Sequence, residues 1–260
     1  MAAKLRIAIL ACDIRDNVPR HFRDRCYSIS GILHARLHEI AKHLQVDLKT
    51  ILYRPPKKQN DFPDLADFQA LVISGSMSDI SNQYLLQTAW MKCLLDFIRD
   101  SHDELPMLGI CFGHQAVARA FDSHLEDLRP PEEGFYPLTL TKEAKHDPLF
   151  ANMPDKFMAL FSHSQYITPA PGVALVMGDS PSVQAFRVGR MTWGLQFHPD
   201  FAPETVRSSL LARREELEER HLDVDKALQR LDIPDEKRDD IKPLVNFMKL
   251  AAGIQPNDLL

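Results

Sequence analysis

Cysteine is scarce in this chain. Its 260 residues hold four, Cys12, Cys26, Cys93 and Cys111, with neither the paired spacing of metal ligands nor the density of a disulfide-stapled scaffold. A reducing compartment is the expectation. Positive charge is not in surplus either: 31 lysines and arginines stand against 36 aspartates and glutamates, a formal net charge of -5, which gives no support for a nucleic-acid surface. No run approaches the ~18 uninterrupted apolar residues of a membrane span. The apolar start at residues 5–10 is short, carries Arg6 and lacks a convincing cleavage site, so it reads as a strand and not as a signal peptide. The cytoplasm is the expected location.

Two further absences narrow the chemistry. The nucleotide-cradling pattern G-x-x-x-x-G-K-[ST] does not occur, so no nucleotide-driven step is expected from this chain. His34 and His38 share a helix face with His43 nearby, but no glutamate follows the first histidine and no third ligand is evident, so neither a metal nor another cofactor is expected. Cys12, just past the first strand, has no glycine turn around it and reads as core.

What is present is an ordinary globular composition, 45% hydrophobic and 26% charged. Strand-like and helix-like segments alternate in the first half: strands at 5–11, 46–53, 68–74 and 107–111, helices at 31–44 and 85–101. That alternation predicts a mostly parallel sheet flanked by helices, an α/β fold whose ligands gather at the carboxyl ends of the strands. Strands then follow one another at 135–142, 157–161, 173–177, 183–187 and 191–197, with Gly189-Arg190 as a two-residue hairpin turn. They predict an additional antiparallel layer. The tail is rich in Leu, Ala, Arg and Glu and reads as one helix from 204 to about 231 and another over 235–252, after Pro234. The division expected is a catalytic domain over 1–205 and a C-terminal helical extension over 206–260, the latter more readily an appendage packed on its own domain than an arm for a partner.

The most informative stretch is Gly109-Ile110-Cys111-Phe112-Gly113-His114-Gln115, between a short apolar run and a segment of helix formers. It reads as strand, sharp turn and helix with a thiol at the turn. The two glycines remove Cβ atoms that would obstruct it, and the helix N-terminus favours thiolate over thiol. A nucleophilic cysteine needs an imidazole to move its proton and a carboxylate to orient that imidazole. The segment Trp193-Gly194-Leu195-Gln196-Phe197-His198-Pro199-Asp200 supplies both, as His198 and Asp200.

These two motifs, GICFGHQ and GLQFHPD in that order, resemble the class I (triad-type) glutamine amidotransferases and their stand-alone hydrolase relatives, over about residues 5 to 205. The relatives in view are glutaminase domains like that of GMP synthase and γ-glutamyl hydrolases. The resemblance implies that Cys111 forms a γ-glutamyl thioester, with His198 as base. The third member in the family is usually a glutamate two positions after the histidine, and here the shorter Asp200 stands there. It further implies an oxyanion hole from the backbone of Gly75 or Ser76 and of Phe112, and a substrate pocket with Gln115, Ser164 and Gln165. His163 reads equally as a substrate contact or as a solvated loop histidine. The activity implied is hydrolysis of glutamine or a γ-glutamyl compound to glutamate and ammonia or an amine, with ammonia passing to a separate synthetase where one exists. The choice of substrate is expected to lie in the loops at 17–25 and 130–134. The alternative is a catalytically weak or inactive regulatory or binding subunit that kept the fold, a reading motivated by Asp200 and by the long tail.

Overall fold

The computed structural model describes residues 3–13, 28–54, 61–78, 80, 83–178, 182–233 and 238–255. Its first half is built as the alternation predicts. Strand β1 (Lys4–Leu10) leads to helix α1 (Ile29–His43), whose first turn is capped by the Ser28 hydroxyl accepting from the Gly31 N–H at 3.2 Å. Strands β2 (Asp47–Tyr53) and β3 (Ala70–Ile73) follow, then helix α2 (Ala89–Ser101), strand β4 (Met107–Ile110) and helix α3 (Phe112–Ala120). Both β3 and β4 are wholly buried, as strands covered by helices on both faces must be.

The second half comprises β5 (His124–Leu140), β6 (Lys156–Thr168), β7 (Val173–Met177), β8 (Val183–Val188) and β9 (Thr192–Leu195). Among the described residues these strands form a nine-stranded sheet in the order β2-β1-β3-β4-β9-β8-β7-β5-β6. The strands from β2 to β9 pair in parallel, and the pairings from β9 to β6 are antiparallel. The expected antiparallel portion is therefore present, and it continues the hydrogen-bonding of the parallel sheet through β9. The fold is α/β with a mixed sheet, parallel in its core and antiparallel towards one edge.

Several local expectations are corrected. The turn between β8 and β9 holds three residues, since Val188 still pairs with Thr192. Gly189 there has φ 58°, and the Asp103 carboxylate accepts from the N–H groups of Arg190 (2.8 Å) and Met191 (2.9 Å), so an acidic residue far away in sequence sets the turn. Residues 130–134, expected as a loop, are strand within β5, which begins at His124 and not at 135. Their prolines and glutamates disguise the strand, and its pairing with β6 is irregular between Asp127 and Glu132. The other expected specificity loop, 17–25, lies outside the described residues.

The tail differs most from expectation. The single helix over 204–231 is three: α4 (Pro203–Ala212), α5 (Arg214–Glu219) and α6 (Val224–Gln229). Helix α5 ends because His221 takes a left-handed conformation, φ 66°, with His221 N–H bonding to Glu218 O (2.9 Å) and Leu222 N–H to Leu217 O (3.0 Å). That closing pattern usually announces itself with glycine. Asp223 then starts α6 by accepting from the Lys226 N–H at 3.0 Å. The break lets Leu217, Leu222, Val224 and Ala227 all turn inward onto Phe135 of β5 and Leu160 of β6. Helix α7 (Lys242–Ala251) begins later than the 235 expected and joins the main core through Leu244, Phe247 and Met248, with Phe247 edge-on to Trp193 at 6.4 Å. The extension is thus packed on the sheet at both ends. Phe247→Ala is expected to destabilise the whole chain by about 3–5 kcal/mol, the range for an emptied aromatic core site. Urea denaturation followed by tryptophan fluorescence, with Trp193 beside the deletion, checks it, and one shared transition is expected.

Candidate active site

Three neighbouring strands deliver the expected machinery to one edge of the sheet. Gly75 follows the end of β3, Cys111 ends β4, and His198 lies three residues past the end of β9, with β4 between the other two. The parallel direction of all three places their carboxyl ends together.

Cys111 occupies the N-cap position of α3 with φ 50° and ψ -102°, a conformation that side-chain-bearing residues rarely adopt. Close packing holds it there. A Cβ on Gly109 would land on the Gly113 carbonyl oxygen, and one on Gly113 would land on the Ile73 carbonyl oxygen at the end of β3. Cys111 N–H bonds to Leu195 O of β9 at 2.8 Å, and Cys111 O accepts from Gln115 N–H at 3.0 Å, so strand and helix both grip the residue. Its Sγ faces the Ser162 carbonyl of β6 at 4.0 Å.

His198 is buried and held on every side. Its N–H bonds to Leu160 O of β6 at 2.8 Å, its ring stacks on Phe201 with centroids 3.8 Å apart, and Nδ1 lies 3.1 Å from Asp200 Oδ1. The shorter carboxylate therefore reaches the ring, using one oxygen while Asp200 Oδ2 has no hydrogen-bond partner. Burial pulls the imidazole towards its neutral form, but hydrogen bonds and negative charge at Cys111 and Asp200 outweigh it, and the pKa is pushed up to about 10. A Cβ on Gly75 would sit 3.2 Å from His198 Cε1 and 3.7 Å from Cys111 Cβ, so this loop packs closely over base and nucleophile. In the same loop the Ser76 hydroxyl accepts from the Ser78 N–H at 3.0 Å, and Phe112, directly after the nucleophile, opens α3.

The residues expected in the substrate pocket are differently placed. Gln115 is buried, and its amide donates to Gln196 Oε1 at 3.1 Å. Ser164 and Gln165 are consecutive on β6 and so point to opposite faces of the sheet. Gln165 is buried, with its amide 3.5 Å from Asp127 Oδ1, whereas Ser164 is half-buried. His163 is no solvated loop residue: it lies within β6, its side chain is 1% exposed, and its ring sits between Gln165 O (Nδ1, 2.8 Å) and Glu132 Oε2 (Nε2, 3.0 Å). Strand β6 runs through the segment that reads from sequence as its end.

Other groups were invisible in the sequence. His114 is fully buried, and burial drives its pKa down to about 3, so it is a neutral filler packed on Phe186 and against the backbone of Gly194. Glu133 is buried near His198, and Arg213 of the extension lies 3.6 Å from it. No pattern in the sequence marks either, since Glu133 and Arg213 meet only through the tertiary fold. His34 and His38 both bond to Thr50 Oγ1, at 2.7 and 3.2 Å, and burial pushes the Cys12 thiol far up, with Asp13 adding to the effect.

Residues 27–216 match the family model described as glutamine amidotransferase class-I. The chain belongs to this family. Among curated relatives it is 30% identical over 156 residues to the glutamine-hydrolysing GMP synthase of Thermosipho melanesiensis, covering 59% of this chain and 29% of that protein. It is 27% identical over 170 residues to one of the subunits of the Methanocaldococcus jannaschii enzyme, covering 64% of this chain and 82% of that relative. The chain thus spans less than a third of the length of the first of these relatives. The fold is also that of a glutamine amidotransferase from Thermotoga maritima, with TM-score 0.67, 18% identity and 95% and 98% of the two chains covered. A glutamine amidotransferase from Methylobacillus flagellatus matches at TM-score 0.61 and 18% identity, with 98% and 96% covered.

Cys111 is expected to be the fast-labelling thiol of the protein at neutral pH, because the imidazolium of His198 beside it favours the nucleophilic thiolate while burial keeps Cys12 inert. Peptide mapping after brief iodoacetamide treatment should find the label on Cys111 in the wild type and lose that site in Cys111→Ser.

Proposed function

We propose that this chain is a cysteine hydrolase of γ-glutamyl amides. The observation that carries the reading is the hydrogen-bonded run from Cys111 through His198 to Asp200, at the carboxyl ends of adjacent parallel strands. Cys111 Sγ attacks the side-chain amide carbon, and the oxyanion that forms is met by the backbone N–H groups of Phe112 and of Gly75 or Ser76. His198, as imidazolium, gives its proton to the leaving nitrogen, so ammonia or an amine departs and a γ-glutamyl thioester remains. Water then attacks the thioester carbon with His198 as base, releasing glutamate and the thiol. Asp200 holds the ring and stabilises its charge throughout. Of Gln115, Ser164 and Gln165, expected at the amino-acid end of the substrate, this reading keeps Gln115 and one of the other two, since consecutive strand residues face opposite sides of the sheet. Residues 1–205 carry the chemistry and 206–260 form the helical extension.

Three relatives are named as single subunits of a glutamine-hydrolysing GMP synthase, which supports a separate synthetase chain as the acceptor of released ammonia. Glutamine is accordingly the first substrate to test, with γ-glutamyl peptides and γ-glutamyl amines beside it. Release of glutamate from at least one of them is expected. His198→Ala should lower kcat by about 10²–10⁴-fold, the usual worth of a general acid–base group. Asp200→Ala should cost less, because Asp200 acts through the ring. A folded wild-type protein that releases no glutamate and traps no thioester would overturn the reading in favour of a regulatory role.

The pH dependence has a definite sign. The folded His198 pKa of about 10 lies above the ordinary imidazole value, so the proton needed by the leaving group is held through neutral pH and lost as pH rises through that value. Turnover should fall on the alkaline side near pH 10 and not near 7, and a kcat/KM profile from pH 5 to 11 reads it directly.

A further inference from the structure

Strand β6 is the piece of the structure that both halves of the site lean on. The Leu160 carbonyl takes the His198 N–H, and two residues on the Ser162 carbonyl faces Cys111 Sγ. A shift of that strand would move nucleophile and base relative to one another. Its own support comes from the neighbouring strand and from the extension. Glu133 of β5 lies directly opposite Ser162 in the register and hydrogen-bonds its side chain, while Asp240 Oδ2 accepts from the Leu160 N–H at 3.2 Å.

Glu133 stands out among these supports. Its side chain is 3% exposed, Oε1 lies 3.6 Å from Arg213 Nη1, and Oε2 has no hydrogen-bond partner. A carboxylate so deeply buried with an oxygen unspent is costly, and a glutamine would answer Ser162 equally well. A carboxyl at this position therefore needs a reason beyond the hydrogen bond. The groups that face it are His198 of the site, His163 of β6, Ser162, and Arg213 between α4 and α5. His198 meets negative charge from Asp200 through one oxygen only, as Asp200 Oδ2 is unpartnered.

We propose that Glu133, held in place by Arg213 of the C-terminal extension, is a positioning residue that fixes Ser162 against the nucleophile and adds negative charge to that which Cys111 and Asp200 present to the imidazolium of His198. Glu133 touches no reacting atom, and it acts through β6 and through the field at the ring. The extension thereby becomes part of the catalytic apparatus, because Arg213 lies against the buried carboxyl: burial raises the Glu133 pKa and the neighbouring guanidinium opposes that rise. The role in turnover rests on the hydrolase reading above, whereas the effect on His198 does not.

The test separates the two. The imidazole of His198 is titrated by NMR in protein labelled at histidine, in the wild type, Glu133→Gln and Arg213→Gln, alongside kcat/KM on the best γ-glutamyl substrate. Glu133→Gln keeps the shape and the hydrogen bond but removes the charge, so the His198 midpoint is expected to fall by roughly half a pH unit or more, with the alkaline limb of kcat/KM moving down with it. Arg213→Gln removes an opposing positive charge and leaves Glu133 ionised at alkaline pH, so the midpoint is expected to rise. A merely structural loosening would move both variants the same way. A His198 midpoint unchanged in folded Glu133→Gln, or lowered alike in both variants, overturns the proposal. Opposite shifts in a wild type that turns over no substrate would uphold the positioning role and overturn the hydrolase reading instead.

Discussion

Helix α3 approaches strands β3 and β4 so closely that no side chain fits between them at two points, and the rest of the site depends on that approach. Gly109 and Gly113 are the residues that permit it. With the helix pressed onto the sheet, the one residue between strand and helix has no ordinary conformation open to it, and Cys111 is held at positive φ with its sulfur at the sheet edge. Strand order then decides what the sulfur meets. Because β4 runs between β3 and β9, the Gly75 loop approaches from one side and the histidine segment from the other.

Close packing and electrostatics work on the same groups here. Burial alone would strip His198 of its proton, so the imidazolium persists only because Cys111 and Asp200 surround it with compensating charge and hydrogen bonds. The same burial leaves His114, three residues after the nucleophile, without such compensation and therefore neutral. Two histidines buried in one domain thus take opposite charge states, and the difference lies in their neighbours and not in their depth.

The extension is no loose appendage. Its first three helices close a second apolar cluster over β5 and β6, and its last helix enters the main core beside Trp193. Asp240 grips the Leu160 peptide whose carbonyl in turn holds His198. These contacts fall on β5, β6 and β9, the strands around the histidine segment.

Sequence alone determined the local features: the strand, turn and helix around Cys111, the alternation that makes a parallel sheet, the glycines at a cramped turn, and the histidine and carboxylate two residues apart. Those are written in short-range patterns, because backbone sterics and hydrophobic period act over a few residues. The tertiary structure alone decided the rest. That Asp200 reaches His198 despite its shorter side chain, and that the ring stacks on Phe201, is seen only in the folded chain. That His221 ends a helix, that Asp103 builds the β8–β9 turn, and that residues 130–134 are strand depend on partners far off in the chain. Glu133 and Arg213 are ordinary letters far apart in the sequence. Only the folded sheet brings them within 3.6 Å of one another, with Glu133 buried where charge is poorly screened.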